Sequence, residues 1–237
     1  MRTLVFIHGA LNDHSVWAAQ QRYFAEQALA TPLQVLAFDL PGHGASAGPA
    51  LASVAAMADW LLARLDAAGI GQAALAGHSM GALIALEAAG KAPQRVTHLA
   101  LLGCAYPMKV ADALLDSARN DEMRAIDMVT KWSHTPGHAD TETLRQLMQR
   151  MSGANLLHTD LAACNAYDNG LAAASAVRCP TLFMVGAADL MTPPKAAQQL
   201  VAAIPQAQRI TLAAGHAMMA EQPQAVSAAL AEFIGSR

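Results

Sequence analysis

Charge is scarce in this chain. Asp, Glu, Lys and Arg together make up 14% of its 237 residues, and the formal net charge is −3. A chain so poor in charge and 54% apolar buries enough surface to fold, so it does not belong with disordered sequences. No basic run occurs, so the composition gives no reason to expect nucleic acid as a partner. Cysteine is sparse: Cys104, Cys164 and Cys179, with no CxxC pair. That odd set fits reduced thiols in a cytosolic protein better than a disulfide framework. Nothing approaches the roughly 18 consecutive apolar residues of a membrane span. The opening apolar stretch is too short for a signal peptide, and His8-Gly9 follows where small residues would mark cleavage. The expectation is a soluble, cytoplasmic protein that meets neither membrane nor nucleic acid.

What is present is an alternation. Short apolar runs at Leu4–Ile7, Val35–Phe38, Ala73–Ala76, Val96–Leu102, Thr181–Val185 and Arg209–Ala213 are separated by amphipathic helical stretches. This rhythm predicts βαβ units and a mostly parallel sheet of about six strands flanked by helices, an α/β fold. A helix is predicted from about Ser15 to Ala28. Ser53 reads as an N-cap, with Val54, Met57, Leu61 and Leu65 at helical spacing and Gly69 as the stop. A further helix runs from Ser79 to about Gly90. Thr192-Pro193-Pro194 opens another, and Val226, Leu230, Phe233 and Ile234 mark the last, which stops at Gly235. Between Tyr106 and Arg178 the rhythm breaks and the sequence is helical. The length suits one α/β domain with an insertion: residues 1–105 and 179–237 as core, 106–178 as a helical cap.

Gly77-His78-Ser79-Met80-Gly81 matches G-x-S-x-G. A strand that turns sharply into a helix leaves the central serine at the apex, and flanking glycines let neighbouring backbone pass. The pentapeptide alone is weak, since both residues are common and a small-residue turn explains it equally well. Its setting is stronger: an apolar strand precedes it and an Ala/Leu/Ile helix follows. A serine hydroxyl needs an adjacent base, and the base needs a third group to orient it. With this turn the chain order is Ser, acid, His. Of nine histidines only His216 follows Asp189, and it sits just past the last strand. Asp189 ends the penultimate strand; the other candidate place, after Val96–Leu102, offers Gly103-Cys104-Ala105 and no carboxylate. Ser79, Asp189 and His216 are therefore the candidate catalytic residues. Backbone N–H groups of Ala10 and Met80 are the candidate oxyanion donors. His8 is expected to brace its loop.

Taken together, these residues resemble the α/β-hydrolase superfamily, in its serine-nucleophile branch with a helical cap. The resemblance rests on His8-Gly9 after the first strand, Asp39-Leu40-Pro41-Gly42-His43-Gly44 after the second, the Ser79 elbow, the Gly186–Asp189 turn and Gly215-His216. These span nearly the whole chain in the family's order. It implies the same roles for Ser79, Asp189 and His216, a scaffolding role for the Pro41–Gly44 turn, and no cofactor. It departs from many members in lacking two strands before the His-Gly strand. The serine at the elbow excludes the branch with an aspartate nucleophile.

A cap at this position resembles those of small-molecule esterases, enol-lactonases, C–C bond hydrolases and cofactor-free perhydrolases. The expected reaction is hydrolysis of a small, mostly apolar ester or lactone. A C–C hydrolase or thioesterase with the same triad, or a catalytically silent small-molecule-binding module, remain as alternatives. Most cap methionines are expected to fill gaps. Asn12, Met108 and Trp132 are the candidate pocket residues. His134 and His138 are four apart, but Pro136-Gly137 between them breaks a helical turn and no further ligand is near, so no metal is expected. Monomer or weak homodimer are both compatible.

Overall fold

The computed structural model describes residues 2–26 and 32–235. Six strands, β1 (Arg2–Ile7), β2 (Leu33–Phe38), β3 (Ala73–His78), β4 (Val96–Leu102), β5 (Thr181–Gly186) and β6 (Gln208–Leu212), form one sheet in the order β2-β1-β3-β4-β5-β6. Every pairing is parallel. The strand order reverses between β1 and β3, and the crevice at the carboxyl ends of such strands is where open α/β sheets bind ligands.

Alternation within each strand splits the core into two layers. Val5, Ile7, Leu75, Leu99, Leu101, Phe183 and Val185 face one side. Leu4, Phe6, Ala100, Leu102, Leu182 and Met184 face the other. The helices are α1 (Ala18–Glu26), α2 (Val54–Ala67), α3 (Met80–Lys91), α4 (Asp112–Asn120), α5 (Glu122–Ser133), α6 (Glu142–Met151), α7 (Leu156–Ala166), α8 (Gly170–Ala176), α9 (Gln198–Ala203), α10 (Met218–Glu221) and α11 (Pro223–Gly235). α2, α3, α8 and α9 cover the first layer, while α1, α10 and α11 cover the second. No helix among the described residues is long and apolar enough to cross a membrane.

Helices α4–α8 fill the interval between β4 and β5. Leu114, Ile126, Met148, Leu157 and Leu161 form a third cluster that also takes in Leu11 from the loop after β1. α8, the last of the five, lies against α3 and α9 beside the sheet. The first helix differs in detail from its expected extent. A 3-10 turn over His14–Trp17 precedes α1, because the Asp13 side chain caps Ser15 and starts the tighter turn. The end expected near Ala28 lies outside the described residues. A similar 3-10 turn, Pro194–Ala197, precedes α9 where the Thr192-Pro193-Pro194 helix was expected.

Small residues bring β3 and α3 against β1. A Cβ on Gly81 would stand 2.3 Å from the Ile7 carbonyl oxygen and 2.5 Å from that of His8. One on Gly77 would stand 2.1 Å from the Gly81 carbonyl oxygen. Both obstacles are backbone, which has no rotamer to yield. Gly81→Ala is therefore expected to destabilise by more than about 3 kcal/mol, or to prevent folding. Thermal unfolding checks this, and an unchanged Tm would mean that α3 and β1 have room to part.

Candidate active site

Ser79 occupies the single residue between β3 and α3. Its backbone, φ +55° and ψ −117°, lies where L-residues with side chains are rarely found. Its N–H donates to the Leu102 carbonyl at 2.9 Å, and the Ala82 and Leu83 amides return to its own carbonyl. The turn is thus held on both sides, with the serine at the start of a helix buried along its first ten residues.

Asp189 is 3% exposed. Its Oδ1 accepts the Met191 and Thr192 amides at 2.8 and 2.7 Å, and its Oδ2 accepts the Thr192 hydroxyl at 2.8 Å. His216 Nδ1–H donates to the same Oδ2 at 2.8 Å. Burial opposes the carboxylate's charge, but the His216 and Thr192 contacts outweigh it and hold its pKa below the ordinary value. With Nδ1 committed as a donor, Nε2 of a neutral His216 is left as the basic nitrogen.

The His216 loop is held from several directions. Its own carbonyl accepts from His78 Nε2 at 2.9 Å, the Ala217 amide donates to Ser133 O at 2.8 Å, and the Gly215 amide donates to Glu221 at 3.2 Å. Glu221 also accepts from Thr135, so α10 links this loop to the chain just after α5.

Opposite, Gly9 and Ala10 end β1. His8, fully buried, donates from Nδ1 to Gly9 O at 2.8 Å and accepts the Leu40 amide at Nε2, so it braces two loops at once. Among the described residues, no turn or loop backbone hydrogen bond runs from the Ala10 or Met80 N–H.

Two cavities meet here. One of about 600 Å³ is lined by Gly9, Ala10, Asn12, Ser79 and His216 at its base and by Leu147, Met148 and Leu157 from the helices above. The exposed Arg22, Asp140 and Arg150 line it where it reaches solvent. The other, about 170 Å³, shares Ala10, Ser79, Leu161 and Met191 and adds Met108, Leu114, Trp132 and Cys164. Ser79, His216, Ala10 and Asn12 therefore share one cavity, while Met108 and Trp132 fall on the other. His134 and His138 stack against each other at 5.3 Å on the wall of the larger cavity. Among the described residues no cluster of His, Cys, Asp or Glu is placed to hold a metal. Cys164 is buried, and desolvation raises its thiol pKa far above the ordinary value.

Several contributors escaped the sequence reading. Thr192 was read only as a helix opener, although its place three residues after an aspartate is the spacing of a side-chain turn. Asp160 sits among Leu157, Leu161 and Cys164 at helical spacing, and a carboxylate on an apolar stripe was the missed signal. Glu221 carries no comparable signal, because its partners are distant in sequence.

The chain matches the alpha/beta hydrolase family over residues 4–229, and it belongs to that family. A 103-residue stretch, 43% of this chain, is 43% identical to the dihydrolipoyllysine-residue acetyltransferase component of the acetoin cleaving system of Pseudomonas putida, and covers 26% of that protein. The putative carbamate hydrolase RutD of Klebsiella pneumoniae (strain 342) is 31% identical over 233 residues, covering 85% of this chain and 79% of that one. Among solved structures, the enol-lactonase from Burkholderia xenovorans LB400 superposes with a TM-score of 0.88 at 23% identity, covering 99% of this chain and 92% of that one. At that identity the likeness is one of fold.

The buried histidines make stability depend on pH. Burial, followed by the nearby His43, lowers the His8 pKa from 6.5 to about 4. Burial, followed by the nearby His216, lowers that of His78 from 6.5 to about 3. In the unfolded chain both take up protons below about pH 6.5, while in the folded chain they do not. Their contribution is therefore complete above pH 6.5 and is lost as pH falls towards 4. Stability is expected to fall by about 1.4 kcal/mol per pH unit for each histidine in that window. Denaturant unfolding at several pH values checks this, and His78→Phe should make the slope shallower by about one proton.

Proposed function

We propose that the protein is a serine hydrolase that cleaves a small, mostly apolar carboxylic ester or lactone through an acyl-enzyme on Ser79. The observation that carries this reading is the 2.8 Å bond from His216 Nδ1 to the buried Asp189 carboxylate, with Ser79 on the same cavity at a strained strand–helix turn.

The proposed steps are as follows. His216 Nε2 takes the Ser79 proton as Oγ attacks the carbonyl carbon. The Ala10 and Met80 amides stabilise the negative charge that forms on the carbonyl oxygen. His216 then passes the proton to the leaving oxygen, and the C–O bond breaks. In the second half it deprotonates water, which releases the acid and restores Ser79. Asp189 keeps the imidazole in one tautomer and offsets its charge when protonated. Thr192 and His78 hold these groups in place. Residues 106–178 form the cap segment, and within it α4–α7 enclose the substrate.

The two cavities divide the substrate. His216 lines the larger and not the smaller, so the leaving group, which it must protonate, belongs in the larger. The acyl limb then occupies the smaller one, whose volume is close to that of a cavity able to hold benzene. A neighbour of similar sequence that is named a carbamate hydrolase, and one of similar fold that is an enol-lactonase, support acyl chemistry of this kind.

Fluorophosphonate labelling followed by mass spectrometry tests the nucleophile. A single adduct on Ser79 is expected, with Ser79→Ala and His216→Ala folded but slower by more than about 10⁴-fold in ester turnover. Folded wild-type protein that neither labels nor hydrolyses would point instead to a binding module. Trp132→Ala tests the division of limbs: it should raise kcat/KM several-fold for bulky acyl groups. Variation of the alcohol should be read the same way by variant and wild type. An equal effect on both limbs would remove the assignment.

A further inference from the structure

Asp160 lies on α7, between β4 and β5, yet its side chain is spent on the loop after β1. It is fully buried, and its Oδ2 accepts the Leu11 amide at 2.8 Å and His43 Nε2 at 2.8 Å. His43 is 1% exposed and faces acceptors on both sides, Asp160 at Nε2 and the Pro41 carbonyl at Nδ1, 3.2 Å away. Acceptors on both sides of the ring favour its doubly protonated form. Burial opposes that charge, but the Asp160 bond and charge outweigh it and raise the His43 pKa. A buried ion pair is a costly device for stability alone, since apolar residues of similar volume serve as well.

The pair holds a particular peptide. The peptide plane between Gly9 and Ala10 is fixed by His8 donating to Gly9 O. The next plane is fixed at one end by Asn12 Nδ2 donating to Ala10 O at 3.0 Å, and at the other by Leu11 N–H donating to Asp160. Peptide units are rigid, so holding the planes on both sides of the Ala10 Cα sets where the Ala10 N–H points. The second plane needs holding, because Leu11 has φ +47°, which its side chain disfavours. His8 and Asn12 act from within the loop. Asp160 is the partner that comes from outside it, 149 residues away.

We propose that Asp160 is a positioning residue for the oxyanion: from α7 it fixes the Ala10–Leu11 peptide so that the Ala10 N–H stays aimed beside Ser79. This rests on the reading of Ala10 as an oxyanion donor. It means that the helical segment takes part in the chemistry and does more than cover the substrate.

Asp160→Ala and Asp160→Asn, compared with wild type, test it. The readouts are kcat and KM for p-nitrophenyl acetate, the rate of fluorophosphonate labelling, the affinity of a trifluoromethyl ketone that forms a tetrahedral oxyanion on serine, and Tm. Asp160→Ala is expected to lower kcat by about 10- to 100-fold. KM should stay within about threefold, while the ketone's affinity falls in step with kcat. Asp160→Asn still offers one oxygen to the Leu11 amide and should recover part of both. If the alanine variant does not fold, the asparagine variant decides. Unchanged kcat and ketone affinity in folded variants, with a lower Tm alone, would overturn the proposal and leave Asp160 a structural residue. Wild-type protein that neither turns over nor labels would overturn the hydrolase reading and this inference together.

Discussion

The approach of α3 to β1 is the constraint on which the rest depends. It is set where Gly81 lies so near the Ile7 and His8 carbonyls that no Cβ fits. Without that approach the start of α3 would stand away from the end of β1. Ser79, the Met80 amide and the Ala10 amide would then have no common space. Gly77 does the same within the turn, and the Ala-rich β3 keeps the central strand thin enough for a helix to lie close. The cost appears at Ser79, whose φ of +55° is held by the Leu102 carbonyl and by a helix buried on all sides.

Around that junction the protein uses one residue type in opposite electrical states. His8 and His78 are buried with few acceptors and stay neutral, each serving as a hinge pin between loops. His43 has as little exposed surface but faces two acceptors, one of them a carboxylate, and the Asp160 contact raises its pKa against the effect of burial. His216 has Nδ1 bound to Asp189, and its ring lines the larger cavity. Burial pulls the pKa values of His8, His78 and His43 down, and only for His43 does a facing carboxylate outweigh it.

The helices between β4 and β5 do more than roof the sheet. They supply Leu157, Leu161 and Met148 to the larger cavity and Leu114, Trp132 and Cys164 to the smaller. Through Leu11, Asp160, Thr135 and Ser133 they also grip the loops that carry the proposed oxyanion donor and base. The shape of both cavities and the geometry around Ser79 are thus tied to the same segment, and a change that loosens its packing would be felt in both.

Much of this was legible in the sequence because the signals are local. Short continuous apolar runs separated by helical stretches specify the strands of a parallel sheet, and the observed sheet has the six parallel strands they imply. The elbow glycines are likewise local, since a tight turn demands particular residues at fixed spacing, and Asp189 and His216 are legible by their places just after β5 and β6. Asp160, Thr192 and Glu221 were not legible as site residues, and Met108 and Trp132 were placed in a pocket without any sign that it is a different cavity from that of Asn12. Each of these depends on contacts between distant segments. Asp160 meets Leu11 across 149 residues and Glu221 meets Thr135 across 86. The sequence by itself determined the strands, the turn and the chemical groups available. The packing of α4–α7 around the cavities decided which buried polar groups meet, how the space above Ser79 is divided and what holds the Ala10 peptide, because those are matters of three-dimensional approach that no spacing along the chain encodes.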